Sequence, residues 1–160
     1  MSADLSVYKK DFPIFSRSVR GGNPLIYLDS GATSQKPEVV IQAEAGFYRT
    51  KNAAVHRGAH LLAEEASDAY EGARENVARF IGAASSEVIF TKSATESLNF
   101  LATSFGNPDS RIAIKPGDEI VVTEMEHHAN LIPWQQLVKR SGAKLTWLSI
   151  TTDGRLDLSN

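Results

Sequence analysis

Glu87-Val88-Ile89-Phe90-Thr91-Lys92-Ser93-Ala94-Thr95-Glu96 is the stretch on which the fold turns. Its first five residues are rich in β-branched and aromatic side chains, which suit a pleated, half-buried strand. Immediately beyond it, residues 97–105 place Leu98, Leu101, Ala102 and Phe105 at helical spacing. Ser93 and Glu96 stand three apart at that junction, the spacing of a capping box, in which each side chain satisfies an orphan backbone donor. A strand running directly into a capped helix is the basic unit of an α/β sheet.

The same alternation continues downstream. Pro116-Gly117-Asp118 forms a turn signal, Glu119–Thr123 reads as a second strand, and 130–140 carries Leu131, Trp134, Leu137 and Val138 at helical steps before Gly142. Residues 144–150 supply a third strand-like run. Strand, helix, strand, helix, strand predicts a doubly wound or related α/β fold. Upstream, Ala66, Tyr70, Ala73, Val77, Phe80 and Ile81 mark a helix from about residue 64, closed by Gly82. Pro37 opens an earlier helix running to about Tyr48. The apolar run Leu25-Ile26-Tyr27-Leu28 stops at the turn-forming Asp29-Ser30-Gly31. Residues 1–24 read as a lead-in arm with one helical turn, and 25–160 as domain proper. The tail ends on Asp157-Leu158-Ser159-Asn160, residue types that cap a helix, so the chain is expected to stop partway through a fold.

Bulk composition narrows the function classes. Of 160 residues, 42% are hydrophobic and 22% charged, ordinary globular proportions that favour a packed core over disorder. Seventeen Lys and Arg against nineteen Asp and Glu leave a net charge of -2, which argues against nucleic acid or an anionic membrane as the main partner. Cysteine is absent, which removes disulfides and thiolate metal sites. The first ten residues, MSADLSVYKK, lack a secretory apolar run, and no apolar stretch approaches the roughly 18 residues of a membrane span. A cytoplasmic location is the resulting expectation.

Three segments carry candidate chemistry. The N-terminus of the helix after Ser93 offers unpaired N–H groups and a positive dipole end, with the Thr95 hydroxyl beside them. It is either a phosphate cradle or a plain cap. Met125-Glu126-His127-His128-Ala129-Asn130 also follows a strand and precedes a helix. Adjacent histidines project differently and make poor joint ligands for one metal, so one of them stacking on or titrating near a ring cofactor competes with simple loop exposure. In Ala53-Ala54-Val55-His56-Arg57-Gly58-Ala59-His60, the spacing of His56 and His60 hints at a metal pair, but Gly58 intervenes and no HExxH pattern follows, so no metal site is assigned. Arg57 reads either as an anion contact or as a surface charge. The sequence holds no G-x-G-x-x-G, P-loop or G-x-S-x-G motif.

Taken together, Tyr27-Leu28-Asp29-Ser30-Gly31-Ala32-Thr33-Ser34-Gln35-Lys36-Pro37, Ala54-Val55-His56-Arg57-Gly58, Ser93-Ala94-Thr95-Glu96-Ser97-Leu98-Asn99 and Met125-Glu126-His127-His128-Ala129-Asn130, with Pro133-Trp134 after it, form a linked set. In order and spacing this set resembles the cysteine desulfurases of the SufS and selenocysteine lyase group. The resemblance implies the N-terminal part of the large domain of a fold-type I enzyme using pyridoxal 5'-phosphate (PLP), preceded by an arm. It implies L-cysteine as substrate, L-alanine as product, and a persulfide passed to an acceptor protein of the SufE/SufU type for iron–sulfur cluster assembly. It further implies a homodimer. By position, Ala94 and Thr95 would meet the cofactor phosphate, and His127 would lie over the ring and assist proton transfers. Ala32, Thr33 and His56 would face the substrate pocket, and Glu96 would keep its cap while touching the partner subunit.

Three departures accompany the resemblance. Gly31 stands where alanine is more usual, Ala94 stands where many relatives carry threonine, and 107–115 looks like a loop insertion. The Schiff-base lysine, the aspartate pairing with the pyridine nitrogen and the persulfide cysteine are expected beyond Asn160, so the 160-residue chain alone is expected to be inactive. Other enzymes of the superfamily, such as a kynureninase-like hydrolase or an aminotransferase, and a non-catalytic binding domain are the alternatives.

Overall fold

A computed structural model describes residues 4–159. They form two compact units, one ending at Val88 and the other beginning at Ile89. The expected arm boundary near residue 24 falls inside the first unit.

The first unit opens with three short 3-10 helices, Leu5–Asp11, Pro13–Ser16 and Arg20–Gly22, rather than one helical turn. Helix α1 spans Glu38–Thr50, with Pro37 as its extended N-cap. Helix α2 spans Leu61–Ile81 and buries Ala63, Ala66 and Ala78. It begins three residues before the expected start because the His60 imidazole caps it, accepting the Ala63 N–H at 3.3 Å. It ends where Gly82 enters the left-handed region (φ 72°), a conformation that costs glycine nothing.

In the second unit, helix α3 spans Ala94–Phe105, strand β1 Glu119–Thr123, helix α4 Ile132–Ser141 and strand β2 Lys144–Leu148. The strands pair in parallel with Glu119 opposite Lys144 and Thr123 opposite Leu148. Parallel neighbours require a crossover, and α4 supplies it. Leu137 of α4 is fully buried, and Val122 and Ala102 join it in the small core of this unit.

Two further expectations change. Val88 is extended, but residues 88–91 join no ladder, and a 3-10 turn occupies Ser85–Glu87. A strand exists only through a hydrogen-bonded neighbour, and the described sheet has two members, β1 and β2. The expected helix from residue 130 begins at Ile132 instead. His128–Asn130 winds as a 3-10 turn, Leu131 breaks the geometry at φ -121° and ψ -56°, and Pro133 then sits in the first turn of α4. No helix among the described residues is long and apolar enough to cross a membrane.

Candidate cofactor groove and histidine loops

In open α/β sheets, ligands gather beyond the C-terminal ends of the strands. The segment following β1 occupies such a place. Thr95 and Asn99, one turn apart on α3, line a groove of about 320 Å³. Its opposite wall is His127, His128 and Ala129, with Ile132 and Pro133 completing it. The structure thus brings Thr95 and His127, 32 positions apart in sequence, to one concavity.

Local chemistry explains how each wall is held. Ser93 is extended, and its Oγ accepts the Glu96 N–H at 3.2 Å. The Glu96 carboxylate reaches back to the Lys92 N–H at 2.5 Å, one residue short of the expected capping-box donor. Ala94 and Thr95 are left with N–H groups that have no acceptor among the described residues. Those donors, the helix dipole and the Thr95 hydroxyl are the chemistry that holds a phosphate. Asn99 donates to the Thr95 carbonyl at 2.9 Å, which pins its amide against α3.

The opposite wall is tied by a relay of side chains. Thr123 Oγ1 donates to Glu126 Oε1 at 2.9 Å, and Asn130 Nδ2 donates to Glu126 Oε2 at 2.7 Å. Trp134 Nε1 in turn donates to Asn130 Oδ1 at 2.9 Å, and its ring stacks on Phe105 of α3 at 6.3 Å and 24°. Hydrogen bonds from Asn130 and then Thr123 hold the Glu126 carboxyl below its ordinary range. His127 Nδ1 accepts the Ala129 N–H at 3.1 Å. A nitrogen that accepts carries no proton, so His127 is the Nε2–H tautomer. Its Nε2 has no partner among the described residues, and its ring is exposed.

The remaining site residues belong to the first unit. Ala32 and Thr33 lie in a turn in which both N–H groups donate to the Asp29 carbonyl, at 3.1 and 3.2 Å. The Tyr27 hydroxyl staples that turn, lying 3.0 Å from the Asp29 carbonyl and 2.5 Å from that of Thr33. Gly31 stays outside the left-handed region, so the turn does not demand glycine there.

His56 occupies a separate loop and is the sole non-glycine residue with positive φ among those described, at 59°. Its N–H donates to Ser67 Oγ at 3.0 Å, and its Nε2 sits 2.9 Å from Glu71 Oε1. The other Glu71 oxygen accepts from Arg74 Nε at 2.9 Å. Arg74 also donates to the Val88 carbonyl and lies 5.0 Å over the Tyr70 ring. Tyr70 meets the His56 imidazole edge-on at 6.2 Å. His56 and His60 have separate duties, one bound to Glu71 and the other capping α2. No group of three His, Asp or Glu that could hold a metal occurs among the described residues.

Sequence reasoning missed Asn99, the Glu126–Asn130–Trp134 relay and the Glu71–Arg74 anchor. The relay was discoverable, since its members recur at four-residue steps. Glu71 lies 15 residues from His56, and no local pattern links them.

Comparison with known proteins gives a consistent result. The aminotransferase class-V family model matches residues 26–160. A probable cysteine desulfurase 2 of Mycobacterium leprae is 58% identical over 158 residues, covering 98% of this chain and 38% of the relative. A probable cysteine desulfurase of Streptomyces coelicolor is 56% identical with the same coverage. Among solved structures, the apo cysteine desulfurase of Thermococcus onnurineus superposes with a TM-score of 0.84 at 39% identity, over 99% of this chain and 37% of that one. The chain therefore spans about 38% of the length of the curated relatives it matches.

Proposed function

The chain belongs to the aminotransferase class-V family and carries part of the PLP fold type I architecture, and from that premise we propose that it is the N-terminal part of a PLP-dependent cysteine desulfurase. The observation that carries this reading is the single groove shared by Thr95, at the start of α3, and His127, beyond β1. Its donor set fits the cofactor: two free amides and a hydroxyl for a phosphate, and a flat imidazole for a ring.

In this reading Ala94 and Thr95 hold the phosphate, and His127 covers the pyridine ring with Nε2 available to move a proton. When bound, PLP supplies an electron sink for bond-breaking at the carbons of an amino acid. Ala32, Thr33 and His56 line the substrate side. The substrate is L-cysteine, the products are L-alanine and a persulfide, and a SufE/SufU-type acceptor carries the sulfur toward iron–sulfur clusters. The full-length protein works in the cytoplasm as a homodimer, with Glu96 near the partner subunit. Lacking cysteine, residues 1–160 cannot themselves carry the persulfide and are inactive alone.

The test is alanine release from L-cysteine by the purified full-length protein supplied with PLP. His127→Ala is expected to lower kcat by about 10²–10⁴, the usual share of a general acid–base group. A wild-type protein that releases no alanine from cysteine would refute the reading.

A further inference from the structure

What holds His56 in place, and which nitrogen of its ring stays usable, is set by side chains of α2. A histidine with φ of 59° adopts a backbone conformation that is sparsely populated for side-chain-bearing residues. Such a conformation persists when its surroundings over-determine it. Here they do so at the backbone, through Ser67, and at the ring, through Glu71 and Tyr70. Ser67 is itself fixed, donating to the Ala63 carbonyl at 2.7 Å. All four supporting residues, Ser67, Tyr70, Glu71 and Arg74, lie on α2.

The hydrogen-bond roles decide the tautomer. Hydrogen bonds from His56, and then from Arg74, hold the Glu71 carboxyl below its ordinary range, so near neutral pH it is ionised and only accepts. Its neighbour at 2.9 Å, His56 Nε2, must therefore carry the proton. Arg74 cannot lose its charge and occupies the other carboxylate oxygen. Glu71 is thus held from turning away from the imidazole.

We propose that Glu71, anchored by Arg74, is a positioning residue for His56: it fixes the imidazole as the Nε2–H tautomer and leaves Nδ1 as the ring's one acceptor for an amino-acid substrate. Nδ1 has no partner among the described residues, and the side chain is 57% exposed. It accepts a hydrogen bond from a substrate N–H or S–H, whereas a ring held in the opposite tautomer would present only a donor there. The proposal rests on the desulfurase reading for the identity of the substrate, but not for the state of the ring.

The experiment uses the full-length enzyme and two readouts. In protein labelled with [15N]histidine, long-range 1H–15N correlation identifies the tautomer, and the signal lost in His56→Asn assigns His56. Asn tolerates the left-handed backbone, so the loop is kept. The expected spectrum shows Nε2 protonated and Nδ1 bare in the wild type, with the two tautomers mixed in Glu71→Gln. A protonated Nδ1 in the wild type overturns the proposal.

The second readout is a double-mutant cycle on L-cysteine turnover. His56→Asn and Glu71→Gln are each expected to lower kcat/KM about tenfold, with the double variant no worse than His56→Asn, because Glu71 acts only through the ring. Losses that multiply would make Glu71 an independent structural residue and overturn the positioning role. Unchanged turnover in His56→Asn, alongside the expected spectrum, would instead remove the substrate role of His56 and leave the tautomer assignment standing.

Discussion

The loop carrying His56 and the loop carrying His127 solve one problem with different chemistry. Each presents an exposed imidazole and each is braced by a glutamate, Glu71 for the first and Glu126 for the second. Glu71 is braced by charge, between an imidazole and the Arg74 guanidinium. Glu126 is braced by neutral donors, the Thr123 hydroxyl and the Asn130 amide, and the relay ends in an aromatic stack. Both rings are held as the Nε2–H tautomer, yet opposite atoms stay free. His56 spends Nε2 on its carboxylate and keeps Nδ1, whereas His127 spends Nδ1 on a backbone amide and keeps Nε2. One histidine is set up to accept and the other to donate, and the difference was written by which nitrogen the scaffold consumes.

The largest effect expected from breaking this contrast is at Leu137, the fully buried residue of α4. Leu137→Ala removes the buried anchor of α4, the helix that follows the His127 loop, and should cost about 2–5 kcal/mol. Hydrogen exchange followed by mass spectrometry should show faster exchange in β1, α4 and 124–131, with α2 unchanged. Gly58→Ala attacks the other side. A Cβ there would lie 2.7 Å from Ala63 Cβ and 2.8 Å from His60 Nε2, displacing the cap of α2. Overpacking of this kind costs about 1–3 kcal/mol, read by chemical denaturation, with faster exchange around residues 53–63. Ser93→Ala removes the α3 cap and should cost about 1 kcal/mol, with weakened phosphate retention if the groove binds as proposed.

The smallest and most diagnostic effect is in the response to salt and pH. Both carboxyls are held below the ordinary glutamate value of 4.5, so their contribution is fully present above that pH and is lost as pH falls through the lowered folded value. Acidification from pH 6 should therefore loosen both loops. High salt at pH 6 should loosen only the His56 loop, because screening acts on the Glu71–Arg74 charge pair and not on neutral donors to Glu126. Equal salt sensitivity in the two loops would erase the distinction.

What the sequence made legible follows from the range of each interaction. Gly82 and Gly142 were readable as helix ends because a left-handed cap is a one-residue property, and both adopt it. The pairing of the Ser93 segment with the His127 segment was an expectation of the family resemblance, since neither segment alone says more than helix cap and histidine loop. Residues 87–91 were misread as a strand because β structure depends on a neighbour that local composition does not report. The early start of α2 has a related cause. A histidine ring served as its cap, whereas the Ser93 cap of α3 was readable as such. The Glu71 anchor depends on a left-handed histidine folding back onto α2, which no spacing rule anticipates.

The decisive question is whether Thr95 and His127 hold two ends of one ligand. Binding of pyridoxamine 5'-phosphate to the full-length apo protein by calorimetry, with dephosphorylated pyridoxamine as control, tests this directly. Thr95→Ala and His127→Ala should each weaken the phosphorylated ligand by about tenfold, the scale of one charge-assisted or stacking contact. With pyridoxamine only the His127→Ala loss should persist. Phosphate-ligand affinity unchanged in both variants would contradict the shared groove.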